Sequence, residues 1–203
     1  MRSGYDLKTA RRSLDLMSIE WINRGLNLWT IEEGTQAITA GTATYSFPPG
    51  TIDFLDQVIR INVGETNNQA DTSVTRISPI SYAQLPNKLQ EGKPLQIYIQ
   101  RMTSPQYTLW PVPDDAQTYT LVYWRIRRIQ DAGTAGANTY DAPDRWLPAL
   151  TAGLAYYVSM KRPETAQRTQ LLKAVYDEQF KYAADEDRVK TSIQLVPGGY
   201  GWL

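Results

Sequence analysis

The sequence has no cysteine and no histidine among its 203 residues. Without cysteine there is no disulfide, no thiolate nucleophile and no cysteine metal site. Without histidine, zinc sites of the ordinary type, Ser-His-Asp triads and imidazole acid–base chemistry are excluded. Reactive chemistry is left to carboxylates, lysine, tyrosine, serine and threonine. Neither sign of charge is in surplus, because 21 basic side chains balance 21 acidic ones. A general nucleic-acid binder draws its affinity from many lysines and arginines set against phosphate, so the balance argues against that class while leaving room for a local basic patch. Long apolar runs are missing too. The opening MRSGYDLKTARRS has no apolar stretch of signal-peptide length, and WLPALTAGLAYYVSM is too short and too rich in small residues to span a bilayer. A soluble chain made inside a cell is the expectation, and 42% hydrophobic against 21% charged residues supports a packed core rather than disorder.

What is present falls into three zones. From Tyr5 to about Ile31, Leu7, Ala10, Leu14, Met17 and Trp21 recur at helical spacing, with Ile22, Leu26 and Trp29 on a neighbouring stripe. Arg11, Arg12, Asp15, Glu20 and Arg24 fall largely on the other side. Asp6 reads as an N-cap, Gly25 as a weak point or kink, and Glu32, Glu33 and Gly34 as a stop, which predicts a helix over 5–32. From Thr35 to about Ile129 the period becomes two. TATYSFP, QVIRINV, TSVTRIS, LQIYIQR, QYTLWPVP and YTLVYWRIRRI read as short strands, GETNNQAD as a loop tip and SYAQLPNK as a helical turn. From Asp144, read as an N-cap, helical spacing returns. Leu147, Leu150, Leu154 and Tyr157 share a face, and Ala149, Ala152, Gly153 and Ala155 let another helix approach. Pro163 restarts the chain in a last helix with a stripe of Leu172, Val175, Gln179 and Ala183. The predicted helices are therefore 5–32, 144–161 and 163–188. Leu7, Leu14, Met17 and Trp21 are expected to pack against Leu150, Leu154, Leu172 and Val175.

The fold class predicted is α+β: a helical bundle of one long N-terminal and two C-terminal helices, an inserted antiparallel β-sandwich or barrel, and an extended C-terminal tail. The domains are 1–34 with 140–189 for the bundle, 35–139 for the β domain and 190–203 for the tail.

Chemistry is hard to find in the sequence. A glycosidase-like acid pair needs two carboxylates at a set distance across a cleft. The candidates Glu32/Glu33, Asp114/Asp115 and Asp141/Asp144 sit at turns or helix ends, where capping and turn chemistry account for them. AGTAGAN (132–138) lacks the P-loop lysine and reads as a hinge. In YWRIRRIQ, Arg125 and Arg127 share a strand face with Tyr123, so Arg125, Arg127 and Arg128 form a candidate basic patch for an interface or a DNA channel; a solvated strand end is the simpler reading. Six tryptophans and 13 tyrosines suit protein interfaces, where aromatics and arginine dominate. The end VPGGYGWL has no local core for its aromatics. Ile193, Leu195, Val196, Tyr200, Trp202 and Leu203 are the candidate docking anchors on a partner, with glycines giving the segment reach.

Taken together, EWINRGLNLWTIEEGTQAI, LQIYIQRMTSPQYTLWPVPD, YTLVYWRIRRIQDAG and DAPDRWLPALTAGLAYYVSMKRPE resemble the head-to-tail adaptor (connector) proteins of short-tailed bacteriophages, over about Tyr5 to Ile193. The resemblance implies a structural virion protein in a homo-oligomeric ring, usually of twelve copies, joining the portal protein to the tail nozzle or tail tube at the head–tail junction. It implies helices near the portal, a β domain facing the tail and its fibres, and a C-terminal tail that locks onto the portal; docking of that tail on a neighbouring subunit stays open. It further implies that DNA passes the lumen without sequence-specific binding; no enzyme activity, no cofactor and no membrane are expected. Two other classes stay open: a tail-associated cell-wall hydrolase using a carboxylate pair, and a carbohydrate- or receptor-binding tail module.

Overall fold

The computed structural model describes residues 3–25, 28–130 and 140–188. The anchors between Ile193 and Leu203 and the hinge 132–138 lie outside the described residues. The chain divides into two compact units, Met1–Leu28 with Asp131–Leu203, and Trp29–Gln130. The first helix is α1 (Ser3–Arg24), followed by β1 (Ile31–Ile38), β2 (Thr44–Ser46), β3 (Thr51–Ile61), β4 (Ala70–Ser73) and β5 (Thr75–Ile77). A short helix α2 (Pro79–Ala83) precedes β6 (Glu91–Gly92), β7 (Gln96–Gln100), β8 (Gln106–Trp110), β9 (Val112–Pro113) and β10 (Tyr119–Arg127). The chain then forms α3 (Leu147–Ser159) and α4 (Ala166–Glu186), each entered through a 3-10 turn, at Asp144–Trp146 and Pro163–Thr165.

The order of long helix, strands and two helices is the one the sequence predicts, and the class is α+β. All six predicted strand segments form, and SYAQLPNK supplies α2, capped by Ser78, whose side chain accepts from the Ser81 N–H at 3.0 Å. The first boundary differs. The helix starts at Ser3, which puts Asp6 inside it rather than at its cap, and ends at Arg24. Gly25 terminates it with φ of +151°, a conformation that glycine accepts and other residues resist, so it is an end and not a kink. Glu32, Glu33 and Gly34, read as a helix stop, belong to β1. Asp144 opens the 3-10 turn whose cap is Pro143, and Trp146 caps α3, so Asp144 is not the N-cap.

In the β unit, one four-stranded sheet has the order β1-β10-β3-β4, with every neighbour antiparallel. The second has the order β2-β8-β7-β5. Its β5–β7 pair is parallel, as is the separate β6–β9 pair, so the expected antiparallel arrangement holds for the other pairings. Side chains from both sheets meet in one core, including Ile59, Leu121 and Tyr123 from the first and Ile97, Tyr107 and Leu109 from the second. This is a sandwich. Phe54 stacks on Phe47 and on Tyr123, each with ring centroids 4.4 Å apart, and lies 5.5 Å from Tyr107. Gly34 faces Tyr123 across the β1–β10 ladder, and a Cβ there would meet the tyrosine ring at 2.6 Å. The ring occupies the space a side chain would take.

In the helical unit, Met17 and Trp21 on α1 are fully buried, as their spacing predicts. The aromatic partners of Trp21 are not among the predicted residues. Trp21 packs against Trp146 at 4.9 Å and Phe180 at 6.2 Å, and its indole N–H donates to the Tyr176 hydroxyl at 2.8 Å. On α4 the inward stripe therefore carries Tyr176, Phe180 and Ala183, while Val175 is exposed. On α3 the inward side is the small-residue side, with Ala149 and Gly153 buried and Leu147 exposed; Leu7 on α1 is exposed as well. A Cβ on Gly153 would stand 2.5 Å from the Met17 sulfur and 2.7 Å from the Tyr176 ring. Helix propensity favours alanine over glycine by about 1 kcal/mol, but overpacking a close contact costs about 1–3 kcal/mol. Gly153→Ala is therefore expected to lower stability in urea unfolding, and Gly153→Val to lower it further; a gain in both would contradict this packing.

Candidate interaction surfaces

The arginines of β10 are built into the first sheet. Arg125 lies opposite Glu32 of β1 in register, and its Nε donates to the Glu32 carboxylate at 2.9 Å. Its Nη1 also donates to the Thr51 hydroxyl at 2.9 Å and the Pro49 carbonyl at 3.3 Å. Arg127 reaches the other Glu32 oxygen at 3.5 Å. Cross-strand ion pairs of this kind stabilise a sheet and lower its local charge. Arg128 is exposed, and its backbone N–H donates to the Gly50 carbonyl at 2.7 Å. Glu32 is thus a structural partner of the basic patch. Of the other acids weighed, Asp114 accepts from the Tyr119 hydroxyl at 2.7 Å and from the Ala116 N–H at 3.3 Å, which is turn chemistry. Burial, reinforced by that hydrogen bond, pushes the Tyr119 phenol up to about 12. Among the described residues, no group of three or more acidic side chains is placed to hold a metal ion. Tyr107 belongs to the core, and its hydroxyl donates to Gln36 at 2.7 Å. Trp110 is half-buried and donates to the Asn87 carbonyl at 2.9 Å.

Two polar networks in the helical unit were not legible from residue spacing. Glu20, expected on the polar side of α1, accepts from the Tyr157 hydroxyl at 2.6 Å and the Tyr176 hydroxyl at 3.2 Å, and pairs with Arg24. Burial first, and then the neighbouring Glu20 carboxylate, raise both tyrosines above the ordinary phenol range. The Arg24 guanidinium lies over the Phe180 ring at 4.5 Å and the Tyr176 ring at 5.1 Å. Such cation–π contacts join α1 to α4. At the end of α4, the buried Asp187 carboxylate pairs with Arg145 and accepts the Leu28 N–H at 3.0 Å. One acid thus ties together the 3-10 turn that opens at Leu28, the end of α4 and the entry to α3.

The surface of this unit carries two apolar features without a core role. A groove of about 550 Å³ runs between α3 and α4, lined on α3 by Leu147, Thr151 and Ala155 and on α4 by Val175 and Gln179. On α1, Leu16 and Ile19 are exposed. No described helix is long and apolar enough to cross a membrane.

Among the described residues, the apolar helix surfaces and the sheet-bound arginines are surfaces suited to contact with other proteins. A family model described as SU10 adaptor protein matches residues 10–196, nearly the whole chain, and the chain belongs to that family of phage head–tail adaptors. A search of curated proteins finds no match.

Proposed function

We propose that the chain is a non-enzymatic virion component that forms an oligomeric ring at the head–tail junction, joining portal to tail and continuing the DNA channel. The observation that carries this reading is membership of the adaptor family over residues 10–196. In this reading the helical unit faces the portal and the β unit faces the tail nozzle, tube or fibre. Balanced charge suits a channel that must let DNA slide, since each phosphate gripped adds affinity and drag. The Glu32 bridge has the same effect on Arg125 and Arg127, and leaves Arg128 as the exposed cation of that strand end.

Portal attachment is assigned to the segment after Asp187, through Ile193, Leu195, Val196, Tyr200, Trp202 and Leu203. Bulky apolar and aromatic side chains of this kind supply most of the energy at protein interfaces. A chain ending at Lys190 is expected to keep its circular dichroism and thermal transition while losing at least tenfold in affinity for purified portal. Unchanged portal affinity would overturn the assignment of the tail.

A further inference from the structure

The two apolar features of the helical unit match each other. Along the outer side of α1, Lys8, Arg12, Leu16 and Ile19 follow at intervals of four, four and three, on the side turned away from Met17 and Trp21. The stripe is basic at its start and apolar at its end, with Leu16 at 45% and Ile19 at 42% exposure. Along α4, Leu171, Val175, Glu178, Tyr182 and Asp185 follow at intervals of four, three, four and three. This second stripe is apolar at its start, with Leu171 at 64% and Val175 at 39% exposure, and acidic at its end, where Glu178 accepts from the Tyr182 hydroxyl at 2.8 Å and Asp185 pairs with Arg188 on the solvent side. Val175 forms one wall of the α3–α4 groove, and Leu147, Thr151 and Ala155 form the other. The groove residues of α3 lie across the helix from the buried Ala149 and from Gly153, which faces Met17 of α1 and Tyr176 of α4 in the same chain.

We propose that the groove between α3 and α4 receives the outer face of α1 from a second copy of this chain, with the two helices antiparallel. In that direction Ile19 meets Leu171, Leu16 meets Val175, Arg12 meets Glu178 and Lys8 reaches the Tyr182–Asp185 turn. Read in opposite directions, α1 steps by three, four and four and α4 by four, three and four, so both stripes span eleven residues and the pairs stay within one residue of a common register. The parallel direction would set Lys8 and Arg12 on Leu171 and Val175, burying cations against apolar surface without partners. The small side chains of Ala152 and Ala155 let a helix lie close, as helix-in-groove contacts require. Charge complementarity selects the second copy as occupant, since both halves of the match are written on the same chain. Each copy then offers one α1 face and one groove, so the contact is head-to-tail and propagates until it closes.

This inference rests on the ring reading above, and the test separates the two. Leu16→Glu blocks the α1 face and Val175→Glu blocks the groove, both at exposed positions, so circular dichroism should match that of the unaltered chain. Sedimentation velocity of the full chain, alone and with purified portal, reads the assembly. Each variant alone is expected to lose assembly beyond the monomer, and an equimolar mixture of the two to form a dimer and stop there, because one competent face remains on each partner. Arg12→Glu should weaken assembly at least tenfold, and adding Glu178→Arg to the same chain should restore it. Variants that assemble like the unaltered chain would overturn this interface and leave the ring reading standing. An unaltered chain that stays monomeric both alone and with portal would overturn both.

Discussion

Replacing Trp21 with alanine is expected to lower the stability of the chain by about 3–5 kcal/mol, the scale for emptying a large aromatic site in a core. The indole is fully buried between Trp146 and Phe180, and three helices converge on it. Its N–H also supplies the Tyr176 hydroxyl with a donor, while that hydroxyl donates onward to Glu20. Alanine would leave a cavity and break this relay at its first link. Trp21→Phe isolates the second effect, because it keeps most of the apolar volume and removes the donor; a loss of about 1–2 kcal/mol is expected from one buried hydrogen bond. Urea unfolding followed by far-ultraviolet circular dichroism measures both. A Trp21→Ala loss below about 1 kcal/mol would mean that α1 does not pack through this residue.

In the β unit the corresponding residue is Phe54. Its ring is sandwiched between Phe47 and Tyr123, with Tyr107 at its edge, and these four come from both sheets and the segment before β3. Phe54→Ala is expected to cost about 3–5 kcal/mol through the same loss of transfer energy and dispersion contacts. Phe54→Leu, which keeps much of the volume but not the stacking, should cost roughly 1–2 kcal/mol. Loss of the near-ultraviolet tyrosine signal together with the thermal midpoint would report the collapse of the stack. An alanine variant with an unchanged midpoint would contradict the placement of Phe54 at the centre of the sandwich.

Residues with strong periodic signals were the legible ones. Met17 and Trp21 stand on an apolar stripe whose period is helical, and both are fully buried. In β7, Ile97 and Ile99 alternate with Gln96, Tyr98 and Gln100, and the two isoleucines are the buried side chains. β1 escaped notice because it is an edge strand. Edge strands carry charge to discourage further pairing, so its acidic start looks like a helix stop; its exposure alternates from Glu32 to Ile38, but the small and polar residues IEEGTQAI carry no apolar alternation in the sequence. The cost of missing β1 was missing Glu32, the in-register partner that explains how Arg125 and Arg127 are held. On α4 a mainly polar surface left the apolar signal weak, and Val175 and Gln179 mark a stripe beside the true one. Tyr176 and Phe180 line the interior because tyrosine can be buried once its hydroxyl finds Trp21 and Glu20, residues far away in sequence. Asp187 gave no more than a helix end for the same reason: Arg145 and the Leu28 N–H become its neighbours through the fold alone.

The central claim is that copies of this chain assemble into a ring on the portal. Native mass determination of the purified full chain, with and without purified portal, tests it most directly. The expected result is a single species in which many copies of the chain join one portal assembly, with the copy number fixed across concentrations. A chain that remains monomeric in the presence of portal, or binds it at variable and unsaturated ratios, would contradict the account.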